Sequence, residues 1–346
     1  MSMTARVSVF WLPNTEVKMT DRPILIAGRH GQLATCLRDL AAMRGLPAVA
    51  LGRRELNLEN REGIHKLIGS IAPSAIINTA AYTAVDQAES EPAKVFSINR
   101  DGAAALADVA WQMNIPLIHL STDYVFDGAK PDAYEESDIP APLNVYGASK
   151  LAGEAAVLAA HPLATVIRCS WIYSPYGGNF VRTMLRLSKT QPMVRVVGDQ
   201  HGNPTYAFDL AEAVLRIAER SVTDDRRTTA GIFHLAGQGE ASWYDFAQAI
   251  FDELSRRGAR IPALEAITTE EFPTAARRPR NSRLDSSKAE RVFGIRLGPW
   301  RHSLEACLDQ LVGGETDVEG NRAGWRKRNA PLSDHARGQQ AAAPDL

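Results

Sequence analysis

An α/β fold, built as a doubly wound parallel sheet with a smaller C-terminal region, is predicted by three features of the sequence. Short apolar runs alternate with longer amphipathic ones, the pattern of βα units laid on a parallel sheet. The first apolar run passes straight into Gly28-Arg29-His30-Gly31-Gln32-Leu33-Ala34, a glycine-marked strand-to-helix turn. Beyond residue 172 the apolar runs scatter and Pro and Gly become more frequent, which marks a second region.

Taken in order, strands are expected at 24–27, 48–51, 75–78, 117–120 and 165–168, each a near-continuous apolar run of the kind buried on both faces. Helix-length amphipathic segments such as 33–44 and 103–113 separate them. No repeat of solenoid length is visible. The expected division is a first domain over 23–171 and a second region over 172–312, with some of the later chain returning to the first sheet. Residues 1–22 carry an apolar patch at 7–12 but no cleavage signal, so a flexible extension is expected, with Met19 as an alternative start to Met1. From Gly313 the chain is rich in Gly, Arg, Asp, Gln and Ala without apolar period, and a disordered tail over 313–346 is expected.

Bulk properties narrow the function classes. The chain has 346 residues, 45% of them hydrophobic, enough for a sizeable core. A net charge of -1 gives no basic field for nucleic acid. No run approaches the roughly 18 apolar residues of a membrane span. Cys36, Cys169 and Cys307 are odd in number and irregularly spaced, which suggests neither a disulfide framework nor a zinc cluster and fits a reducing cytoplasm.

The glycine turn carries the first chemical signal. Glycine at 28 and 31 lets the backbone turn tightly and lets a pyrophosphate reach the helix start at Gln32 and Leu33, while Ala34 permits close strand packing. An ordinary strand-to-helix turn can share this spacing, but the preceding strand favours a Rossmann-like dinucleotide site. The second strand ends in Gly52-Arg53-Arg54, where NAD-selective folds usually place an acid for the ribose diol. Arg53 can pair a 2′-phosphate in bidentate fashion, which favours NADPH over NADH; two solvated surface arginines are the alternative. Asn57 and Leu58 follow where adenine would lie. Ala80, Ala81 and Tyr82 close the third strand with small residues where a cofactor must pass.

The fourth strand ends in Ser121-Thr122-Asp123, and Tyr146 and Lys150 follow, four apart. Strand C-termini face the ligand crevice of a parallel sheet, which puts Thr122 near the cofactor and within reach of Tyr146. On a helix the Tyr-Lys spacing sets phenol and ammonium on one face, and the positive charge is expected to draw the phenol down from about 10 toward neutrality. Together these side chains form a reductase set, with Tyr146 passing a proton to a carbonyl oxygen. The eight histidines show no metal-binding spacing, and no metal site is expected. Cys169 reads as an inert buried thiol, and His30 as a solvated turn residue.

On these motifs the chain resembles the extended short-chain dehydrogenase/reductases. Within that superfamily it is most similar to the dTDP-4-dehydrorhamnose reductase family. The matching stretches are 28–32, 78–89, Ser121-Thr122-Asp123-Tyr124-Val125-Phe126-Asp127-Gly128, 142–147, 168–173, 199–205 and 278–284, spread over residues 22–312. The resemblance implies NADPH-dependent reduction, with NADH possible, of the C4 keto group of a dTDP-6-deoxyhexulose to dTDP-L-rhamnose. It implies that Tyr146 donates the proton, that Lys150 tunes it and holds the nicotinamide ribose, and that Thr122 adjusts the transfer. Asp123 and Trp171 would touch the sugar nucleotide. Trp171 taken alone reads as a core residue, and only the motif moves it into the site.

One departure concerns assembly. Some members of this family dimerise around a magnesium ion held by glutamates, but the positions that align with those ligands hold Cys36, Phe208 and Arg301 here. None supplies a hard oxygen. A monomer or a metal-independent homodimer is therefore expected. Two alternatives to the reductase stay open: another sugar-nucleotide reductase or epimerase of the same fold, and a non-catalytic NADP-binding regulatory subunit, like the regulatory partner of methionine adenosyltransferase. The intact trio of Thr122, Tyr146 and Lys150 favours the enzyme.

Overall fold

The structure, a computed structural model, describes residues 22–312; the expected extension before Arg22, the choice between Met1 and Met19, and the expected tail from Gly313 lie outside the described residues. The first half is a run of βα units: β1 (Ile24–Ala27), α1 (Gln32–Met43), β2 (Ala48–Leu51), α2 (Arg61–Ile71) and β3 (Ala75–Asn78). The short helices α3 (Val85–Ala88) and α4 (Pro92–Phe96) follow, then a π-turn at Ser97–Gly102 that leads into α5 (Ala103–Gln112). Next come β4 (Leu117–Thr122), α6 (Val145–Ala160) and β5 (Thr165–Cys169).

The second half consists of β6 (Ile172–Tyr173), α7 (Phe180–Thr190), β7 (Met193–Val197), β8 (His201–Gly202), β9 (Thr205–Tyr206), α8 (Ala207–Thr223), α9 (Arg226–Thr229) and β10 (Gly231–His234). It closes with β11 (Ala241–Ser242), α10 (Trp243–Arg256), β12 (Ala263–Ile267), α11 (Ser287–Phe293) and α12 (Trp300–Val312).

Six strands form the central sheet in the order β10-β5-β4-β3-β1-β2, all parallel. Its order reverses between β1 and β3, and in such sheets the ligand crevice opens at the strand C-termini there. Strand periodicity splits the core in two. Ile24, Ile26, Ile77, Ile118 and Ile167 face the layer that holds α1 and α8, while Leu25, Ile76, Leu117 and Val166 face α2 and α5. Both faces are covered, which is why each strand reads as an unbroken apolar run rather than an alternating one. Three small two-stranded sheets, β7 with β12, β8 with β11 and β6 with β9, belong to the second half.

Helix ends are set locally. Asn144 and Asn179 cap α6 and α7 by accepting from Gly147 and Arg182 N–H, and Ser242 with Asp245 forms a capping box on α10. α1 differs, because Gly31 at its start supplies no side-chain cap and its first N–H groups stay open.

Candidate active site

β1 leads to Gly28 at φ +110°, a conformation that side chains rarely adopt, and a Cβ there would strike the Thr79 hydroxyl. The turn therefore brings the uncapped start of α1 to the rim of the crevice with its N–H groups free for an anion. α6 is held against the sheet by a second close approach. A side chain at Gly147 would collide with the Tyr124 carbonyl, so this glycine lets the helix that carries Tyr146 and Lys150 pack onto the end of β4.

A crevice of about 540 Å³ runs between these elements, and Gly31, Gln32, Leu33, Ala81, Thr122, Asp123, Tyr146, Lys150 and Trp171 all line it. A neighbouring cavity of about 140 Å³ is lined by Gly28, Arg53, Asn57, Leu58, Ala80, Ala81 and Tyr82. Ala81 belongs to both, so every residue expected from sequence to touch cofactor or substrate faces one of two adjoining spaces. A small side chain at the junction leaves room for an extended dinucleotide to pass. The donors fit that group: an uncapped helix start for a pyrophosphate, a glycine cradle, and cations beside the second strand.

Those cations are already engaged. Arg53 pairs with Glu59 (3.0 Å), and Arg29, a residue that the spacing argument passed over, pairs with Glu55 (2.5 Å) and donates to the Ala50 carbonyl. Glu55 also accepts from Gly52 N–H (3.0 Å) at the end of β2. A 2′-phosphate here would share or displace these carboxylates.

At the inner end, the Tyr146 hydroxyl lies beside the Thr122 side chain. Thr122 Oγ1 in turn donates to Asp123 Oδ1 (3.0 Å) and accepts from Tyr124 N–H (3.2 Å). Burial pushes the Asp123 carboxyl up to about 7, against the opposing pull of the Ser282 and Thr122 hydroxyls. Lys150 Nζ donates to the Leu120 carbonyl (2.6 Å) and lies 3.3 Å from His119 Nε2, and burial draws the amine down to about 8.

One expectation is overturned. The phenol of Tyr146 is raised above its ordinary value, not lowered toward neutrality, because burial disfavours phenolate and only the Thr122 contact opposes it. Spacing put lysine and tyrosine on one helix face, but the Lys150 amine donates to the Leu120 backbone carbonyl. The consequence suits a proton donor, since the phenol stays protonated.

The opposite wall comes from the second half. Trp171 sits at φ +47°, in the left-handed region that costs a non-glycine residue about 1–3 kcal/mol, and donates from Nε1 to Ser282 Oγ (3.2 Å). Its ring stacks on Trp243 with centroids 3.5 Å apart and planes 3° from parallel. Trp243, His30, Thr79, Gly177 and Gly178 also line the crevice and were not anticipated. The Gly177-Gly178 pair and the His30 in the glycine turn were visible as local signals, whereas nothing near Trp243 in sequence connects it to Trp171. Cys169 forms part of the floor, and burial pushes its thiol up to about 12. Among the described residues no group of acidic, histidine or cysteine side chains could hold a metal ion. Cys36 and Phe208 are buried in the core, and Arg301 lies over the Trp300 ring (4.4 Å).

Fold and crevice together define an α/β dinucleotide-binding protein of the extended short-chain dehydrogenase/reductase type. Residues 22–312 match the family described as RmlD substrate binding domain, and the chain belongs to that family. It is 48% identical over 292 residues to the dTDP-4-dehydrorhamnose reductase of Sinorhizobium fredii, covering 84% of this chain and 97% of that one. Among solved structures it superposes on the dTDP-4-dehydrorhamnose reductase of Clostridium acetobutylicum with TM-score 0.78 at 35% identity, over 84% of this chain and 99% of the other. The corresponding enzyme of Bacillus anthracis, solved in complex with NADP, gives TM-score 0.77 at 34% identity over the same shares.

Proposed function

We propose that this protein reduces the C4 keto group of dTDP-4-dehydro-6-deoxy-L-mannose (dTDP-4-dehydrorhamnose) to give dTDP-L-rhamnose, using NADPH, in the making of a nucleotide sugar for cell-surface polysaccharide. The observation that carries the reading is the joined pair of cavities, one lined by the glycine turn and the other ending on Thr122, Tyr146 and Lys150. Membership of a family whose relatives carry this activity in their names supports it.

When bound, the dihydronicotinamide supplies the hydride to C4. Tyr146 then gives its proton to the developing oxyanion on O4, a contribution typically of about 10² to 10⁴ in rate. Thr122, beside the phenol, steadies the oxygen as charge builds. Lys150 orients the cofactor ribose and supplies positive charge near the ring oxygen. Asp123 and the Trp171 face hold the sugar nucleotide. In this reading residues 23–171 bind the dinucleotide and 172–312 mainly the substrate, with β10 as the segment that rejoins the sheet.

The decisive experiment offers dTDP-4-dehydrorhamnose, made in situ from dTDP-glucose, together with NADPH or NADH. Loss of absorbance at the reduced-nicotinamide band and NMR identification of dTDP-L-rhamnose are expected. A different deoxysugar would point to another reductase or an epimerase, and no cofactor oxidation to a non-catalytic subunit. Cytoplasmic residence is proposed from three free, buried thiols, which suit a reducing compartment. Among the described residues no helix is long and apolar enough to cross a membrane. A monomer or metal-independent homodimer is proposed because neither Cys36 nor Phe208 offers an oxygen ligand; sedimentation with and without EDTA should give one and the same species.

A further inference from the structure

Beneath the crevice, Asn78 and His119, two buried side chains that the reductase reading leaves unused, line up behind Lys150. Asn78, at the end of β3, has its amide orientation set by the backbone: Ala80 N–H, which can only donate, points at Asn78 Oδ1 (3.1 Å). The amide nitrogen Nδ2 therefore faces His119 Nδ1 (2.9 Å) and donates to it. An imidazole nitrogen that accepts carries no proton, so the single proton of neutral His119 is on Nε2. Burial holds this histidine well below its ordinary value, so it is neutral.

That assignment has a consequence for Lys150, whose Nζ lies 3.3 Å from His119 Nε2. An ammonium has three donors and no acceptor, and it would meet Nε2–H proton to proton. A neutral amine has a lone pair for Nε2–H and keeps its protons for the Leu120 carbonyl, 2.6 Å away. We propose that His119 is a positioning residue for Lys150: its Nε2–H, fixed by Asn78, favours the neutral amine over the ammonium in the cofactor-free protein, so that at mildly alkaline pH Lys150 takes up a proton from solvent when the anionic dinucleotide binds. Of the other titratable groups around the amine, Glu154 and Cys169 favour its charged form, but less than burial opposes it. Glu154, one turn on in α6, is already paired by Arg168 and Ser121; Cys169 from β5 is a neutral thiol; Tyr146 is a neutral phenol; and Asp123, beyond β4, is bonded to Thr122.

The inference rests on the reductase reading only in placing the dinucleotide beside Lys150, and two measurements separate the two. Nitrogen-15 NMR of the cofactor-free protein should show His119 as the neutral Nε2–H tautomer; an Nδ1–H tautomer or an imidazolium overturns the proposal whatever binds. Calorimetry of NADPH binding at pH 8.5, repeated in buffers of different ionisation enthalpy, should show uptake approaching one proton per site. Above the empty-site lysine value the apparent Kd should rise roughly tenfold per pH unit. Asn78→Asp turns the tautomer over by accepting from Nδ1–H, which leaves Nε2 as an acceptor for the ammonium; in the folded variant uptake should fall well below that of the unsubstituted protein while NADPH still binds. Tight NADPH binding by the unsubstituted protein without proton uptake, or equal uptake in the two proteins, overturns the proposal. No NADPH binding at all overturns the reductase reading and, with it, the coupling to the cofactor.

Discussion

Two turns of α6 carry buried ionisable groups that behave in opposite ways. Glu154 is met by two of the three guanidinium nitrogens of Arg168 (2.9 and 2.7 Å) and by the Ser121 hydroxyl (2.5 Å), so each oxygen has a cationic partner. Lys150, one turn earlier, faces a carbonyl and an imidazole, and the phenol of Tyr146 beyond it faces a threonine. The first group is a closed ion pair that locks the helix to β5. The second group has no carboxylate in hydrogen-bond contact and lines the crevice. The difference teaches where reactivity is kept: a buried charge with a full partner set is structural, while one balanced only by dipoles stays free to move a proton.

The comparison can be broken most sharply at Tyr146. Tyr146→Phe should lower kcat about 10² to 10⁴-fold while NADPH affinity stays within a factor of two or so, read by stopped-flow cofactor oxidation. Near-normal turnover would move the proton donor elsewhere. At the other end, Glu154→Gln strands the Arg168 guanidinium and should cost about 3–5 kcal/mol in urea unfolding. The double replacement Glu154→Leu with Arg168→Met should recover much of that loss. A single variant as stable as the parent would show that the pair does not lock the helix.

Asp123 tests the intermediate case. Its carboxyl is raised in the folded protein from an ordinary value near 4 to about 7, so the native state binds the proton more tightly than the unfolded chain. Its contribution to stability is therefore most favourable below about pH 4, declines as pH rises to about 7, and levels off above that. Asp123→Asn should flatten this stretch of the stability-pH profile and raise stability at pH 8, at the expense of turnover. An unchanged profile would mean that the carboxyl is not held protonated. A smaller effect is expected across the crevice, where Trp243→Ala removes the ring on which Trp171 stacks: KM for the sugar nucleotide should rise roughly tenfold, with kcat and NADPH affinity little altered. Smallest of all, a thiol reagent should find none of the three buried cysteines in the folded protein at pH 8, and all three after denaturation.

What could be read from sequence followed from locality. The strands expected at 24–27, 48–51 and 75–78 match the observed ones, and β4 and β5 extend one or two residues further, because a strand covered on both faces leaves an unbroken apolar signature. The glycine turn and the Tyr-Lys spacing are likewise encoded within a few residues of themselves. Trp243 was invisible because it reaches Trp171 only through tertiary packing, and Arg29 because its neighbour Glu55 is brought to it by the turn after β2. The direction of the phenol shift was missed for another reason: spacing along a helix says which groups are neighbours, but burial and the claims of Leu120 and His119 decide where the protons go.

The strand β10 finally bears on how such a chain comes off the ribosome. It pairs with β5 through Gly231–Thr165 to His234–Arg168, so the outer margin of the main sheet is supplied by a segment made long after its neighbour. Until then β5 presents a row of unsatisfied amides and carbonyls, the kind of exposed border that recruits other chains. Synthesis therefore passes through a stretch in which the nucleotide half is formed yet adhesive, and release from that hazard waits on the arrival of four late residues.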